Sequence, residues 1–191
     1  MSWDALLFDF DGVLADTEPL HFECWSEVLK PFGIELDWEF YRLHWVGISD
    51  RALAERFGVG LPECEQKQAL FRARLETDPP FHPSTLDLVK DLHDNFNMAV
   101  VSSSLRSEVE PPLARAGIRS CFHAMVCGQE VIRLKPAPDP YLRAAGLLGS
   151  HQPLVIEDSD AGVASGRAAG FDVIRISTPE ALSRELRAIL G

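Results

Sequence analysis

The sequence is poor in cysteine, and its four (Cys24, Cys64, Cys121 and Cys127) stand singly, with no CxxC pair among them. That spacing gives no disulfide framework and no zinc-binding signature, so reduced thiols are expected. A basic leader is also missing, and the first apolar run is broken at Asp9, so a cytoplasmic protein is expected. No stretch approaches the ~18 apolar residues of a membrane span, which argues against a membrane partner. Positive charge is scarce: 18 basic residues face 29 acidic ones, for a net charge of −11. Such a surface does not suit nucleic acid, whose phosphates select for clustered Lys and Arg. A small anionic substrate is not excluded, because it needs only a few local cations. Repeats and low-complexity tracts are absent. What remains is an ordinary globular composition, 46% hydrophobic and 25% charged over 191 residues. A chain of this size buries a sizeable core without staples, and nothing in it demands more than a monomer.

Short apolar runs at 5–10, 98–101, 124–126, 154–156 and 173–176 are predicted as strands. Their continuous hydrophobicity, without alternation, fits strands covered on both faces of a parallel sheet. Helical segments are predicted between and after them, over 107–116, 139–148, 160–169 and 179–190. Gly117, Gly149 and Gly170 stop the first three, while Ser159 and Thr178 are positioned to cap the last two. This alternation indicates an α/β fold with a doubly wound parallel sheet. Residues 16–81 differ, being rich in helix formers with no convincing strand; helices are predicted over 19–31, 50–57 and 62–77. "DPPFHP" then punctuates the chain before a helix over 84–93. The organisation predicted is a core of residues 1–15 and 82–191 with an all-helical insert at 16–81.

Ligands bind outside the carboxyl ends of the strands in open α/β sheets. The polar residues there are Asp9 and Asp11 after the first strand, Ser102 to Ser104 after the second, Lys135 on the loop after the third, and Glu157 and Asp158 after the fourth. Carboxylates, a hydroxyl and one cation converging on a point suit phosphoryl transfer through a carboxylate. Mg²⁺, a hard cation that prefers oxygen ligands, would offset the repulsion between carboxylate and phosphate. Lys135 and a hydroxyl would hold the phosphoryl oxygens. Of two aspartates one residue apart, one could attack while the other manages the proton.

In "DFDGV", "VVSSS", "KPAPDP" and "IEDSDAG", taken in order, the chain resembles the haloacid dehalogenase superfamily, in particular members with a helical cap inserted after the first strand of a Rossmann-like core. The resemblance implies Asp9 as the nucleophile that forms an aspartyl-phosphate and Asp11 as the acid–base. It implies Mg²⁺ held by Asp9, the Asp11 carbonyl and Asp158, with Glu157 assisting, and phosphoryl binding by Ser102 and Lys135. A phosphatase of small phosphorylated metabolites, sugar phosphates above all, is the expected activity. The family's dehalogenases lack an acid at the position of Asp11.

Three other activities resemble this pattern less well. β-Phosphoglucomutase shares the core residues, yet its second motif carries a lysine where Leu105 stands, and its cap arginine directly follows a serine, whereas Asp50 separates Ser49 from Arg51 here. Phosphonate hydrolysis calls for a small residue at position 11 and an early cap lysine. A non-catalytic regulator would have lost one of Asp9, Asp11, Lys135 or Asp158. Within the insert, His21, Trp25, Gly47 and Arg51 match positions that approach substrate in the family, and Ser103 is a further candidate contact. Each also has a structural alternative: a packed histidine, a core tryptophan, a solvated arginine, a helix cap. Gly162 and Gly166 are read as close helix-to-sheet contacts.

Overall fold

The computed structural model describes residues 3–46, 48 and 50–191. Among these, five strands form one parallel sheet: β1 (Ala5–Phe8), β2 (Asn97–Val101), β3 (Ala124–Val126), β4 (Pro153–Glu157) and β5 (Asp172–Arg175). Their order is β3-β2-β1-β4-β5, so β1 is central and the connections wind outward from it in both directions. Helices α1 (Glu18–Leu29), α2 (Trp38–His44), α3 (Asp50–Phe57) and α4 (Leu61–Thr77) follow β1. Then come α5 (Pro83–His93) before β2, α6 (Arg106–Arg115), α7 (Asp139–Leu148), α8 (Asp160–Ala168) and α9 (Leu182–Leu190).

Every position of β1 and β4 is buried because successive side chains enter two different cores. Leu6, Phe8, Met98, Val100, Leu154 and Ile156 meet Leu88 and Val89 of α5, Val109 and Leu113 of α6, and Leu182 and Leu186 of α9. Leu7, Ala99, Val101, Val126 and Val155 face the other way, onto Tyr141, Ala144 and Ala145 of α7. Each of the Val, Leu, Ile, Phe and Met side chains among these contributes about 1.5–3 kcal/mol on burial. Gly166 brings α8 down to the sheet, since a Cβ there would lie 2.7 Å from Val173 Cγ2.

Two compact units result, one of Met1–Asp16 with Pro79–Gly191, the other Thr17–Asp78. Pro79–Phe81 therefore go with the sheet. The Asp16 amide donates to Pro80 O at 2.9 Å, Ala15 pairs with Phe81, and Phe81 packs edge-on against Phe10. The helical unit has its own core of Trp25, Val28, Leu29, Tyr41, Leu53, Ala54 and Cys64, and a second cluster of Cys24, Phe71 and Leu75. Helix α2 is an addition to the sequence-based assignment; Asp37 caps it by accepting from the Phe40 amide. Helix α9 begins at Leu182, because Thr178 caps a turn at 179–181 through the Ala181 amide and not the helix itself. No described helix is long and apolar enough to cross a membrane.

Candidate active site

The carboxyl ends of β1, β2 and β4 lie side by side, at the point where the chain's winding reverses. Asp9 leaves β1 with its amide still bonded to Ile156 O at 2.9 Å. The chain then turns sharply: the Leu14 and Ala15 amides both donate to Phe10 O, and Gly12 sits at φ +77°. Gly12 is required twice over, by that left-handed backbone and by space. A Cβ on it would fall 2.1 Å from Asp158 Oδ2.

Lys135 reaches into this corner with its side chain only 6% exposed. Its ammonium donates to Asp9 Oδ1 at 2.8 Å, Glu157 Oε1 at 2.6 Å and Val101 O at 2.9 Å, which uses all three of its hydrogens. Glu157 is fully buried and saturated on both oxygens. Oε1 also accepts from the Tyr141 hydroxyl at 2.6 Å, and Oε2 accepts from the Asp158 and Ser159 amides and the Ser159 hydroxyl. Gly162 leaves room for this carboxylate, since a Cβ there would lie 1.7 Å from Glu157 Oε1.

One lysine does not balance the carboxylates gathered here. Burial and the Glu157 charge push Asp9 well above the usual carboxylate range, with Lys135 opposing them only in part. Burial, then Glu157, raises Asp158 to about 6. Glu157 goes the other way: burial alone would raise it, but the Lys135 charge and the hydrogen bonds it accepts hold it below the ordinary value. Burial and the neighbouring Glu157 keep the Tyr141 phenol protonated, well above its normal range. Asp9, Glu157 and Asp158 each offer an oxygen within 4.8 Å of the others. An all-oxygen cluster with surplus negative charge fits a hard divalent cation.

Asp11 is held from the β2 side. Ser104 Oγ donates to its Oδ2 at 2.9 Å and Ser102 Oγ lies 3.3 Å away, while the Ser104 amide donates to Ser102 Oγ at 3.0 Å. Of the residues expected from the sequence, Asp9, Asp11, Ser102, Lys135, Glu157 and Asp158 are thus brought together. Ser103 is not, as its side chain is exposed and its carbonyl lies against Gly128. Ser104, named from the sequence only as part of the serine run after β2, is the one that holds Asp11, and Tyr141 enters the cluster without having been named.

In the helical unit, His21 accepts from Lys67 Nζ at 2.5 Å and stacks on Phe71 with ring centroids 3.9 Å apart. Lys67, 1% exposed, also pairs with Asp50 Oδ1 at 2.7 Å. Trp25 is fully buried and donates to that same oxygen at 3.1 Å. Arg51 is 79% exposed and pairs with the Glu55 carboxylate at 3.6 Å. Gly47 lies outside the described residues. Lys67 went unnoticed because one lysine in "ECEQKQALF" gives no sequence signal that separates it from a solvated residue.

Comparison with known proteins matches residues 6–176 to the family model described as haloacid dehalogenase-like hydrolase. The chain is 32% identical to the fructose-1-phosphate phosphatase YqaB of Escherichia coli, covering 90% of this chain and 95% of that protein. It is 30% identical to a phosphorylated carbohydrates phosphatase of Thermotoga maritima, over 90% of this chain and 83% of the relative. Among solved structures, the phosphate complex of CbbY from Rhodobacter sphaeroides superposes with a TM-score of 0.77 at 27% identity, covering 91% of this chain and 86% of that one.

Proposed function

This chain belongs to the haloacid dehalogenase-like hydrolases, and on that premise we propose that it is a Mg²⁺-dependent phosphatase of small phosphorylated metabolites, with sugar phosphates as its preferred class. The observation that carries the proposal is the contact of Lys135 with both Asp9 and Glu157, inside a carboxylate cluster that also presents Asp11 and Asp158. An Asp9 oxygen attacks phosphorus and the ester oxygen leaves with its electron pair. Asp11, held by Ser104, gives that oxygen a proton. Asp11 then takes a proton from the water that opens the aspartyl-phosphate, which returns Asp9 and releases inorganic phosphate. Lys135 and Ser102 bind the phosphoryl oxygens as charge shifts among them. Asp9, Asp158 and the Asp11 carbonyl would hold the Mg²⁺, with Glu157 beside them; the ion would supply the positive charge that lets two anions meet.

The named relatives that act on sugar phosphates support the substrate class. A monomer in the cytoplasm, without a nucleic-acid partner, completes the proposal; four buried free cysteines and the net charge of −11 support it. The test is phosphate release from a sugar-phosphate panel that includes fructose 1-phosphate, with Mg²⁺, with chelator and with Asp9→Asn. Metal-dependent release that Asp9→Asn abolishes is the expected result. Interconversion of glucose 1-phosphate and glucose 6-phosphate, without release, would reassign the chain as a mutase.

A further inference from the structure

We propose that Tyr141 is a positioning residue that sets how tightly Glu157 holds Lys135, and through Lys135 how strongly the site grips a phosphoryl group. The inference rests on the phosphatase reading above. Its starting point is the sharing of a single oxygen: Glu157 Oε1 accepts from both the Lys135 ammonium and the Tyr141 hydroxyl, each at 2.6 Å. The same ammonium lies over the Tyr141 ring, 5.1 Å from its centroid. Tyr141 thus touches both members of the ion pair, once through its hydroxyl and once through its π face.

The competition at that oxygen has a direction. Lys135 has no spare hydrogen, so it must loosen one of its three bonds to reach a phosphoryl oxygen. Val101 O is fixed in β2, and Glu157 is walled in by Gly162 and by donors on its other oxygen. Two donors on one carboxylate oxygen share its electron density, so each is held less tightly than a single donor would be. Without the phenol, Glu157 would draw the ammonium closer and hold it back from the phosphoryl group. Packing alone does not require the hydroxyl, because the ring fills its place among Val101, Val126 and Val155.

Tyr141→Phe keeps the ring and removes only the donor. Inorganic phosphate binding, measured by calorimetry with and without Mg²⁺, is expected to weaken about five- to tenfold in both conditions. The Mg²⁺ dissociation constant without phosphate should stay within about twofold, and KM should rise more than kcat falls. In a Glu157→Gln background the same change should have no further effect, because the carboxylate it acts through is gone. A complementary variant acts in the opposite sense: Tyr41→Phe leaves Tyr141 as the only tyrosine, and 3-fluorotyrosine labelling then makes its phenol a stronger donor. Phosphate binding should tighten, by about twofold. Unchanged phosphate binding in Tyr141→Phe, or an equal loss in the Glu157→Gln background, overturns the inference and leaves the phosphatase reading intact. Wild-type protein that neither binds phosphate nor releases it from any ester overturns both.

Discussion

The Lys67 ammonium sits 2.5 Å from Nδ1 of His21, inside the helical unit. An ammonium can only donate, so His21 must accept through Nδ1 and carry its proton on Nε2 as a neutral ring. Burial first, and the Lys67 charge second, hold the His21 pKa well below its ordinary 6.5.

That relationship predicts an acid-sensitive helical unit. The folded pKa lies below the unfolded one, so the unfolded state binds the proton first as pH falls. The contribution of His21 is therefore complete above about pH 6.5 and declines below it, by at most ~1.4 kcal/mol per pH unit. Denaturation followed by tryptophan fluorescence between pH 8 and 5 checks this, since Trp25, Trp38 and Trp45 all lie in this unit. His21→Gln, which keeps an acceptor for Lys67, should flatten the slope. An unchanged slope would remove His21 as its source.

The neighbouring serines after β2 should behave differently. Ser104 donates to Asp11 at 2.9 Å whereas the Ser103 side chain is exposed. Ser104→Ala should lower kcat about tenfold, the loss of one hydrogen bond to the proposed acid–base Asp11. Ser103→Ala should stay within about twofold on the same scale. Steady-state kinetics on both variants decide it, and equal losses would contradict the placement of Asp11.

Gly162→Ala should damage the site more than the fold. The new Cβ would sit 1.7 Å from Glu157 Oε1, so the carboxylate that holds Lys135 must move. Overpacking of this kind costs about 1–3 kcal/mol. Misplacing Lys135, the proposed phosphoryl-binding group, should cost on the order of a hundredfold in kcat/KM. Gly146→Ala is the control: nothing lies within 4 Å of its Cβ, and a gain of about 0.4–1 kcal/mol in stability is expected. Thermal melts and kcat/KM for the pair test both statements.

The cysteines should be silent in the folded protein. All four are free and buried, and burial pushes the Cys127 thiol up to about 12. Thiolate is the reactive form, so a thiol-specific reagent at pH 8 should label none of them until denaturant is added. Mass spectrometry of native and denatured samples gives the count.

The sheet and its motifs were legible because both depend on local signals. Continuous apolar runs mark buried parallel strands, and a polar residue directly after such a run marks a strand end. β1 stops at Phe8, two residues short of its apolar run, because the turn around Gly12 begins to pull the chain out of the sheet. The strand end marked Ser104 but not its bond to Asp11, and Tyr141 and Lys67 were not legible as site or network residues. Their partners Asp11, Glu157 and His21 lie 93, 16 and 46 residues away, and no local pattern encodes those meetings. α2 was missed for a related reason. Its aromatic residues Trp38 and Tyr41 pack on Phe22 of α1, and seven residues are too few for helical periodicity to declare itself.

The hydrogen bond from the Asp16 amide to Pro80 O, with Ala15 alongside Phe81, closes the sheet unit across the mouth of its own insertion. The pairing of the strand that leads to Asp9 is thereby closed off from whatever lies between those two points. An insertion of different length or packing could be spliced in between Asp16 and Pro80 while the register of β1 against β2 and β4 stayed as it is. The two units are then separable in the gene as well as in the molecule, and the helical one can be rewritten without retuning the sheet unit that carries Asp9 and Lys135.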